Sequence, residues 1–179
     1  AWSIMQARKA ITIDRVFVSS DSDEILDVAA QYGALPIQRP MSISGDMASS
    51  ESAWLHALKE IECSSVKIDY IVGMQATSPI RSSSDLDNAV TRVRLDYLDS
   101  LMTVAELEDF FTWSIGQSGP ESINYDYSNR KRRQDIEVKY LENGSFYIVS
   151  PEALVKNKNR LGGYVGFYEQ EKYKMYQID

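Results

Sequence analysis

The sequence of 179 residues holds a single cysteine, Cys63, and a single histidine, His56. One thiol can neither close a disulfide within the chain nor build a thiolate metal cluster, and it is compatible with a reducing compartment. One imidazole cannot supply a multi-histidine metal site. Cys63 therefore reads as a small, partly buried hydrophobe at a helix end, and His56 as a structural member of a helix. No apolar run approaches the roughly 20 residues that cross a bilayer, and no secretory leader pattern precedes the first elements, so the expectation is a soluble, cytoplasmic protein. Positive charge is also scarce: 19 Lys and Arg against 26 Asp and Glu give a net charge of -7. Such a field opposes nucleic acid and acidic membranes. An anionic substrate must then be gripped by a few placed cations, for which Arg39, Arg81 and the run Arg130-Lys131-Arg132-Arg133 are the candidates.

With 44% apolar residues, a chain of this length can bury roughly 70% of its unfolded surface, which fits one domain over residues 1–179. Ala1 to Ala10 read as a helix and Val16-Phe17-Val18 as a short strand. Asp21 with Glu24 offers a capping box for a helix whose Ile25, Val28, Ala29 and Tyr32 share a face and which stops at Gly33. Ala34 to Ile37 form a second strand. Ser49 or Ser50 caps the next helix, which carries Ala53, Trp54, Ala57, Leu58 and Ile61. The apolar run Tyr70 to Met74 is a buried strand, and Ser82-Ser83-Ser84-Asp85 starts a helix with Leu86, Ala89, Val90 and Val93 on one face. This alternation predicts a mainly parallel sheet with helices on both faces.

After residue 98 the pattern changes. Ser100 to Val104 and Phe110 to Ile115 read as strands, followed by a polar stretch, Gly116 to Asp135, with neither periodicity; a long irregular insertion of this kind is usually functional or mobile. Val138 to Tyr140, Ser145 to Val149, Tyr164 to Phe167 and Tyr173 to Ile178 are further strand candidates, and Pro151 opens a short helix. Asn143-Gly144 is either a tight turn or part of a site, since Asn-Gly is a strong hairpin signal.

The chemistry is concentrated where strand 70–74 gives way to Gln75-Ala76-Thr77-Ser78-Pro79-Ile80-Arg81. Small, polar and Pro residues at the carboxyl edge of a parallel strand occupy the position where open α/β folds bind ligands. This stretch resembles the Q-x-T-S-P-L-R signature of the CMP-sugar-acid cytidylyltransferases, closest to the N-acylneuraminate branch. Three further elements match in the family's order: Arg39-Pro40 with Ser44-Gly45-Asp46-Met47-Ala48-Ser49-Ser50, then Arg133-Gln134, then Asn143-Gly144-Ser145-Phe146-Tyr147-Ile148.

The resemblance implies a Rossmann-like nucleotidyltransferase fold, with residues 99–140 as an inserted arm that pairs two subunits into a homodimer. It implies transfer of CMP from CTP to the anomeric 2-hydroxyl of a sialic-acid-like (nonulosonic) sugar acid, with Mg²⁺. Kdo, legionaminic or pseudaminic acid are alternative acceptors, and a non-catalytic nucleotide-binding dimer module is the alternative from another class. Carried over by residue, Arg39, Ala48 and Ser50 contact the nucleotide; Gln75, Arg133, Gln134, Asn143 and Tyr147 line the sugar pocket; Arg133 also serves catalysis. Arg81 is assigned to anchoring the loop. Asp179 is a catalytic carboxylate and Mg²⁺ ligand, a role that suits its hard oxygen donors. Two departures stand out. Gln177 occupies a place where the family has an aspartate, and neither the family's first strand with its phosphate loop nor its last helix has a match, so both are expected to be missing from this sequence.

The chemistry asked of these residues is alignment and charge neutralisation. Cytosine offers O2 and N3 acceptors and an N4 donor, so an Arg and aimed backbone groups separate it from uracil. A lost polar match of this kind costs about 10⁴ to 10⁵ in discrimination. A sugar acid, with its carboxylate and hydroxyls, calls for amide and guanidinium groups together.

Overall fold

The computed structural model describes residues 1–45, 47–107 and 111–178, the side chain of Arg133 excepted. Among the described residues there are five α-helices and eight strands. Helix α1 (Trp2–Lys9), β1 (Phe17–Ser20), α2 (Asp23–Gln31), β2 (Leu35–Gln38), α3 (Ser50–Glu62), β3 (Ile71–Met74) and α4 (Ser83–Leu95) come first. They are followed by β4 (Ser100–Leu107), β5 (Trp113–Gly116), β6 (Gly119–Ser122), β7 (Lys139–Val149), α5 (Pro151–Asn157) and β8 (Val165–Gln170). β1 and β2 pair in parallel; the other main sheet has the order β3-β7-β4-β8.

The sheet is mixed where the sequence pattern predicts a mainly parallel one. β7 lies between β3 and β4 and runs antiparallel to both, while β4 and β8 are parallel. The pattern of alternating strands and helices ends at α4, and β7, reached through the long 108–138 connection rather than a helical crossover, is free to enter the sheet in the opposite sense.

The core follows the helix stripes. On α4 the four residues at helical spacing, Leu86, Ala89, Val90 and Val93, are all buried against Leu101, Phe146 and Ile148. Each large side chain removed from water there contributes about 1.5–3 kcal/mol. Ser82 caps α4: its Oγ accepts from Asp85 N at 3.2 Å while the Asp85 carboxylate accepts from Ser82 N at 2.7 Å. α2 departs from expectation. Its cap is Ser22 rather than Asp21, and the buried residues are Leu26 and Ala29, the latter packed with Val16 and Val18 beside β1, while Ile25, Val28 and Tyr32 are exposed. The shift turns three of the four expected stripe residues outward. α3 is capped by Ser49, whose Oγ accepts from Ser52 N at 3.1 Å, so Ser50 is the first helical residue. Cys63 at the end of α3 is exposed rather than partly buried.

α1 connects the two sheets. Trp2 Nε1 donates to Pro79 O at 3.0 Å and Ser3 Oγ accepts from Arg81, whereas Arg8 donates to Gly33 O at 2.9 Å. The carboxyl end of β3 and the amino end of β2 therefore lie at opposite ends of this helix, about 12 Å long.

β5 and β6 form a hairpin in what reads as an irregular insertion. Rings cluster on it, with Phe111 and Tyr125 at 4.3 Å and Trp113 and Tyr127 at 5.4 Å between centroids. Residues 173–178, expected as a strand, instead form a 3-10 turn over Lys172–Met175 and an extended end. The cause is Lys174, which is buried on Asp85 and turns the chain inward where an alternating strand would place it toward solvent.

Candidate active site

Asn143-Gly144 is not a hairpin turn. It lies inside β7, where β4 advances from Met102 to Val104 while its partner position moves from Tyr147 to Glu142. The surplus β7 residues bulge out of the ladder, a device that re-aims side chains. Thr103 staples the bulge: its Oγ1 donates to Phe146 O at 3.0 Å and accepts from Phe146 N at 3.2 Å.

The bulge meets the loop leaving β3. Gln75 N donates to Ser145 O at 3.3 Å and Ser78 Oγ donates to Asn143 O at 3.2 Å. Arg81, 4% exposed, locks both together, with Nη1 donating to Ser145 O and Nη2 to Gln75 O at 2.6 Å. Burial pulls its pKa down to about 10, with Asp85 opposing the shift, so the guanidinium stays charged at neutral pH. Arg81 is the anchor of this loop, as its place in the motif suggests. Gly144 has φ +67, and a Cβ there would sit 2.6 Å from the Gln75 amide. The close approach of loop and bulge requires glycine at this point.

Gln75, Asn143 and Tyr147 are thus brought together. Asn143 is 1% exposed; its Nδ2 donates to Gln170 Oε1 at 2.9 Å and its Oδ1 accepts from Ser145 N at 3.2 Å. The Gln75 amide, oriented by its neighbours, donates to Gly144 O at 2.9 Å and accepts from Arg160 Nη1 at 3.1 Å. The Tyr147 ring, 3% exposed, packs against Trp54 at 6.3 Å, and its hydroxyl donates to Glu142. Burial first, then the Glu142 carboxylate, push that phenol up to about 12. Trp54 in turn lies over Gly73, where any side chain would run into the indole.

Of the residues expected to contact the nucleotide, Arg39 follows β2 and its backbone N donates to Ser20 O at 2.8 Å. Its guanidinium faces Asp21 at 3.8 Å, and its Nε is buried without a hydrogen-bond partner among the described residues. A donor in this state suits an incoming acceptor. Ala48 closes a turn on Gly45 O at 2.8 Å, and Ser50 is exposed at the start of α3. Gln134 is exposed in the 3-10 turn Arg133–Asp135, and no hydrogen bond joins it to Gln75, Asn143 or Tyr147 among the described residues. Arg133 shares that turn; its side chain, like Asp179 as a whole, lies outside the described residues.

The expected Mg²⁺ ligand, Asp179, lies outside the described residues. Among them no group of three or more His, Cys, Asp or Glu is placed to hold a metal. Gln177, at the position where the family carries a carboxylate, donates its amide N–H to Asn143 O at 3.1 Å. A carboxylate cannot make that bond, so here the side chain ties the chain end to the bulge.

Sequence reasoning missed Arg160. Its Nε donates to Glu51 Oε1 at 2.6 Å, and its guanidinium carbon stands 4.8 Å from the Tyr147 ring centre and 5.4 Å from that of Trp54. The two ends of this ion pair are 109 residues apart, and no local pattern announces it. Burial lowers the Arg160 pKa, but the Glu51 carboxylate outweighs it and the net shift is upward; the Glu51 pKa is lowered by its bond to Arg160 against an opposing desolvation.

Helices alternating with strands, and a polar loop and bulge at a strand's carboxyl end, give the chain an α/β fold of the nucleotidyltransferase-like kind. The fold matches that of CMP:2-keto-3-deoxy-manno-octonic acid synthetase complexed with CTP, with a TM-score of 0.65 at 10% identity, covering 95% of this chain and 78% of that one. Residues 1–179 match the family described as cytidylyltransferase, and the chain belongs to that family. It is 31% identical over 181 residues to N-acylneuraminate cytidylyltransferase A of Danio rerio, covering 99% of this chain and 41% of that protein. It is 26% identical to pseudaminic acid cytidylyltransferase of Campylobacter jejuni over 86% of this chain and 67% of that one. The chain spans about two fifths of the length of the fish relative.

Proposed function

We propose that this chain transfers CMP from CTP to the anomeric 2-hydroxyl of a sialic-acid-like sugar acid. The hydroxyl oxygen forms a bond to the α-phosphorus, the bond to the bridging oxygen breaks, pyrophosphate leaves, and the hydroxyl proton passes to solvent. The observation that carries the reading is the junction of Gln75, Asn143 and Tyr147 at the carboxyl end of β3, one ion pair away from the nucleotide-side residues that open α3. The relatives named for N-acylneuraminate and pseudaminic acid cytidylyltransferase activity support it. They also leave the acceptor to be chosen among nonulosonic acids and Kdo.

Within this reading Arg39 and the backbone at Ala48 select cytosine, Ser50 holds the nucleotide, and Gln75 with the bulge faces the acceptor. Mg²⁺ accompanies CTP, with Asp179 as its protein ligand and Arg133 and Gln134 arriving from the insertion; the family resemblance of these positions is the support for them. The same resemblance makes the 99–140 region a dimer arm. On it Ile115, Ile123 and Tyr127 are exposed apolar side chains of the kind an interface covers. No helix among the described residues is long and apolar enough to cross a membrane, and we place the reaction in the cytoplasm.

The test is pyrophosphate release with CTP, Mg²⁺ and a panel of N-acetylneuraminic, legionaminic, pseudaminic and Kdo acids. Release with one of them supports the reading, and no release with any from a chain verified to be full length rejects it in favour of a non-catalytic nucleotide-binding module.

A further inference from the structure

Arg160 joins the two halves of the site. Its guanidinium is 18% exposed and spans three elements. It binds Glu51, next to Ser50 in the first turn of α3, at 2.6 Å; it reaches the Gln75 amide oxygen at 3.1 Å; and it stacks on the Tyr147 and Trp54 rings. Nothing else hydrogen-bonds the Gln75 amide oxygen among the described residues. The amide group therefore takes its orientation from Arg160 on one side and Gly144 O on the other. Without the guanidinium the amide oxygen loses its donor and only the bond to Gly144 O holds the group, which loosens the hydrogen-bonding polarity it presents to a ligand. Without Glu51, a partly buried guanidinium resting on two rings loses its counter-charge, and the planar fork is no longer held in register.

We propose that Arg160 is a positioning residue for the acceptor, held by Glu51 so that the start of the nucleotide-side helix sets the orientation of Gln75. It acts through Gln75 and Tyr147 rather than by touching the reacting atoms. The inference rests on the function proposed above and adds a physical link between the CTP half and the sugar-acid half of the site. Ordering of the Ser50–Glu51 turn by CTP fixes Arg160, and Arg160 fixes Gln75.

The experiment is steady-state kinetics of pyrophosphate release on Arg160→Ala, Arg160→Lys, Glu51→Ala and the Glu51→Ala/Arg160→Ala double variant, varying each substrate separately. Loss of a positioning bond to a charged group predicts an acceptor KM raised about tenfold or more in Arg160→Ala, with the CTP KM within about twofold. Arg160→Lys keeps the charge without the fork and falls between. Because Glu51 acts only through Arg160, the double variant should raise the acceptor KM no further than Arg160→Ala alone. A general loss of fold would depress kcat and move both KM values, and Glu51→Ala, in the first turn of a helix, offers the second route should Arg160→Ala not fold. An active parent with an unchanged acceptor KM in Arg160→Ala, or in Glu51→Ala if the first does not fold, overturns this inference alone. A parent that releases pyrophosphate with no sugar acid overturns the proposed function, and this inference with it.

Discussion

Lys174 Nζ lies 2.9 Å from Asp85 Oδ2, with both side chains buried, and Glu171 closes on the same ammonium at 2.6 Å. The pair fastens the turn after β8 to the N-terminus of α4, beside an open polar hollow of about 460 Å³ whose lining includes Ser82, Asn88 and Tyr168. Removing Asp85 leaves the buried ammonium with Glu171 as its remaining carboxylate, so Asp85→Asn should cost about 3 kcal/mol at neutral pH, the low end for a broken buried pair. Urea unfolding reads this directly.

The pH dependence of that cost has a definite sign. Burial pushes the Asp85 carboxyl up, but the bonds from Lys174 and Ser82 outweigh it and the net shift is downward. A lowered carboxylate pKa stabilises the fold above the ordinary aspartate value, and the contribution is lost as pH falls through the folded value. Lys174 is shifted upward by Glu171 and Asp85 against its burial, so its share persists below the ordinary lysine value and is lost only in strong alkali. The gap in unfolding free energy between parent and Asp85→Asn should therefore hold steady at neutral pH and shrink below about pH 4. A gap that widens in acid contradicts the assignment.

Arg81→Lys tests the loop anchor. The fork donates to Ser145 O and Gln75 O together, and a single ammonium cannot reproduce that planar geometry. At least one buried carbonyl is left short, at about 1–3 kcal/mol. The midpoint of urea unfolding should fall accordingly, and the acceptor KM should rise as the 75–81 loop loosens from the bulge.

The helices were more legible in the residues than the sheet, and for a physical reason. α4 advertises itself through four apolar residues on one face and a reciprocal Ser82–Asp85 cap, both local signals that tertiary packing had no cause to override. On α2 the same kind of signal misled by one residue, because Leu26 rather than Ile25 is buried. The bulge at Asn143–Ser145 depends on β4, about 40 residues away, and within β7 alone Asn-Gly looks like a turn. The Gln75–Asn143–Tyr147 grouping was reachable only through family resemblance, and Arg160 with Glu51 not at all, since an ion pair between a helix start and a distant loop leaves no periodicity behind. Tyr173 to Ile178 alternates like a strand, yet one buried lysine decides its path.

Gly144→Ala probes the contact between bulge and loop. An alanine at φ +67 pays about 1–2 kcal/mol in backbone strain. Its methyl also displaces the Gln75 amide, and the Gln177 and Ser78 polar atoms stand 3.4 Å away, so there is little room to yield. The expected result is a higher acceptor KM with the CTP KM almost unchanged; an equal rise in both would mean that the bulge serves the two substrates alike.

Arg39 provides the sharpest test of the nucleotide side. Its only ionic neighbour among the described residues is Asp21 at 3.8 Å, both partly exposed, and a surface pair of that length is worth about 0–1 kcal/mol. Asp21→Asn should then leave CTP affinity within about threefold. If Arg39 donates to the cytosine ring from its partly buried position, Arg39→Ala removes a charged hydrogen bond worth about 1.5–3 kcal/mol, a loss of roughly tenfold to a hundredfold in CTP affinity. Arg39→Lys should recover little of it, because a point charge does not present two aligned donors to a pyrimidine edge. Calorimetric titration with CTP and with UTP separates base readout from phosphate attraction. A guanidinium that reads the base distinguishes the two nucleotides in the parent and ceases to do so in Arg39→Ala, whereas one that merely attracts phosphate weakens both equally.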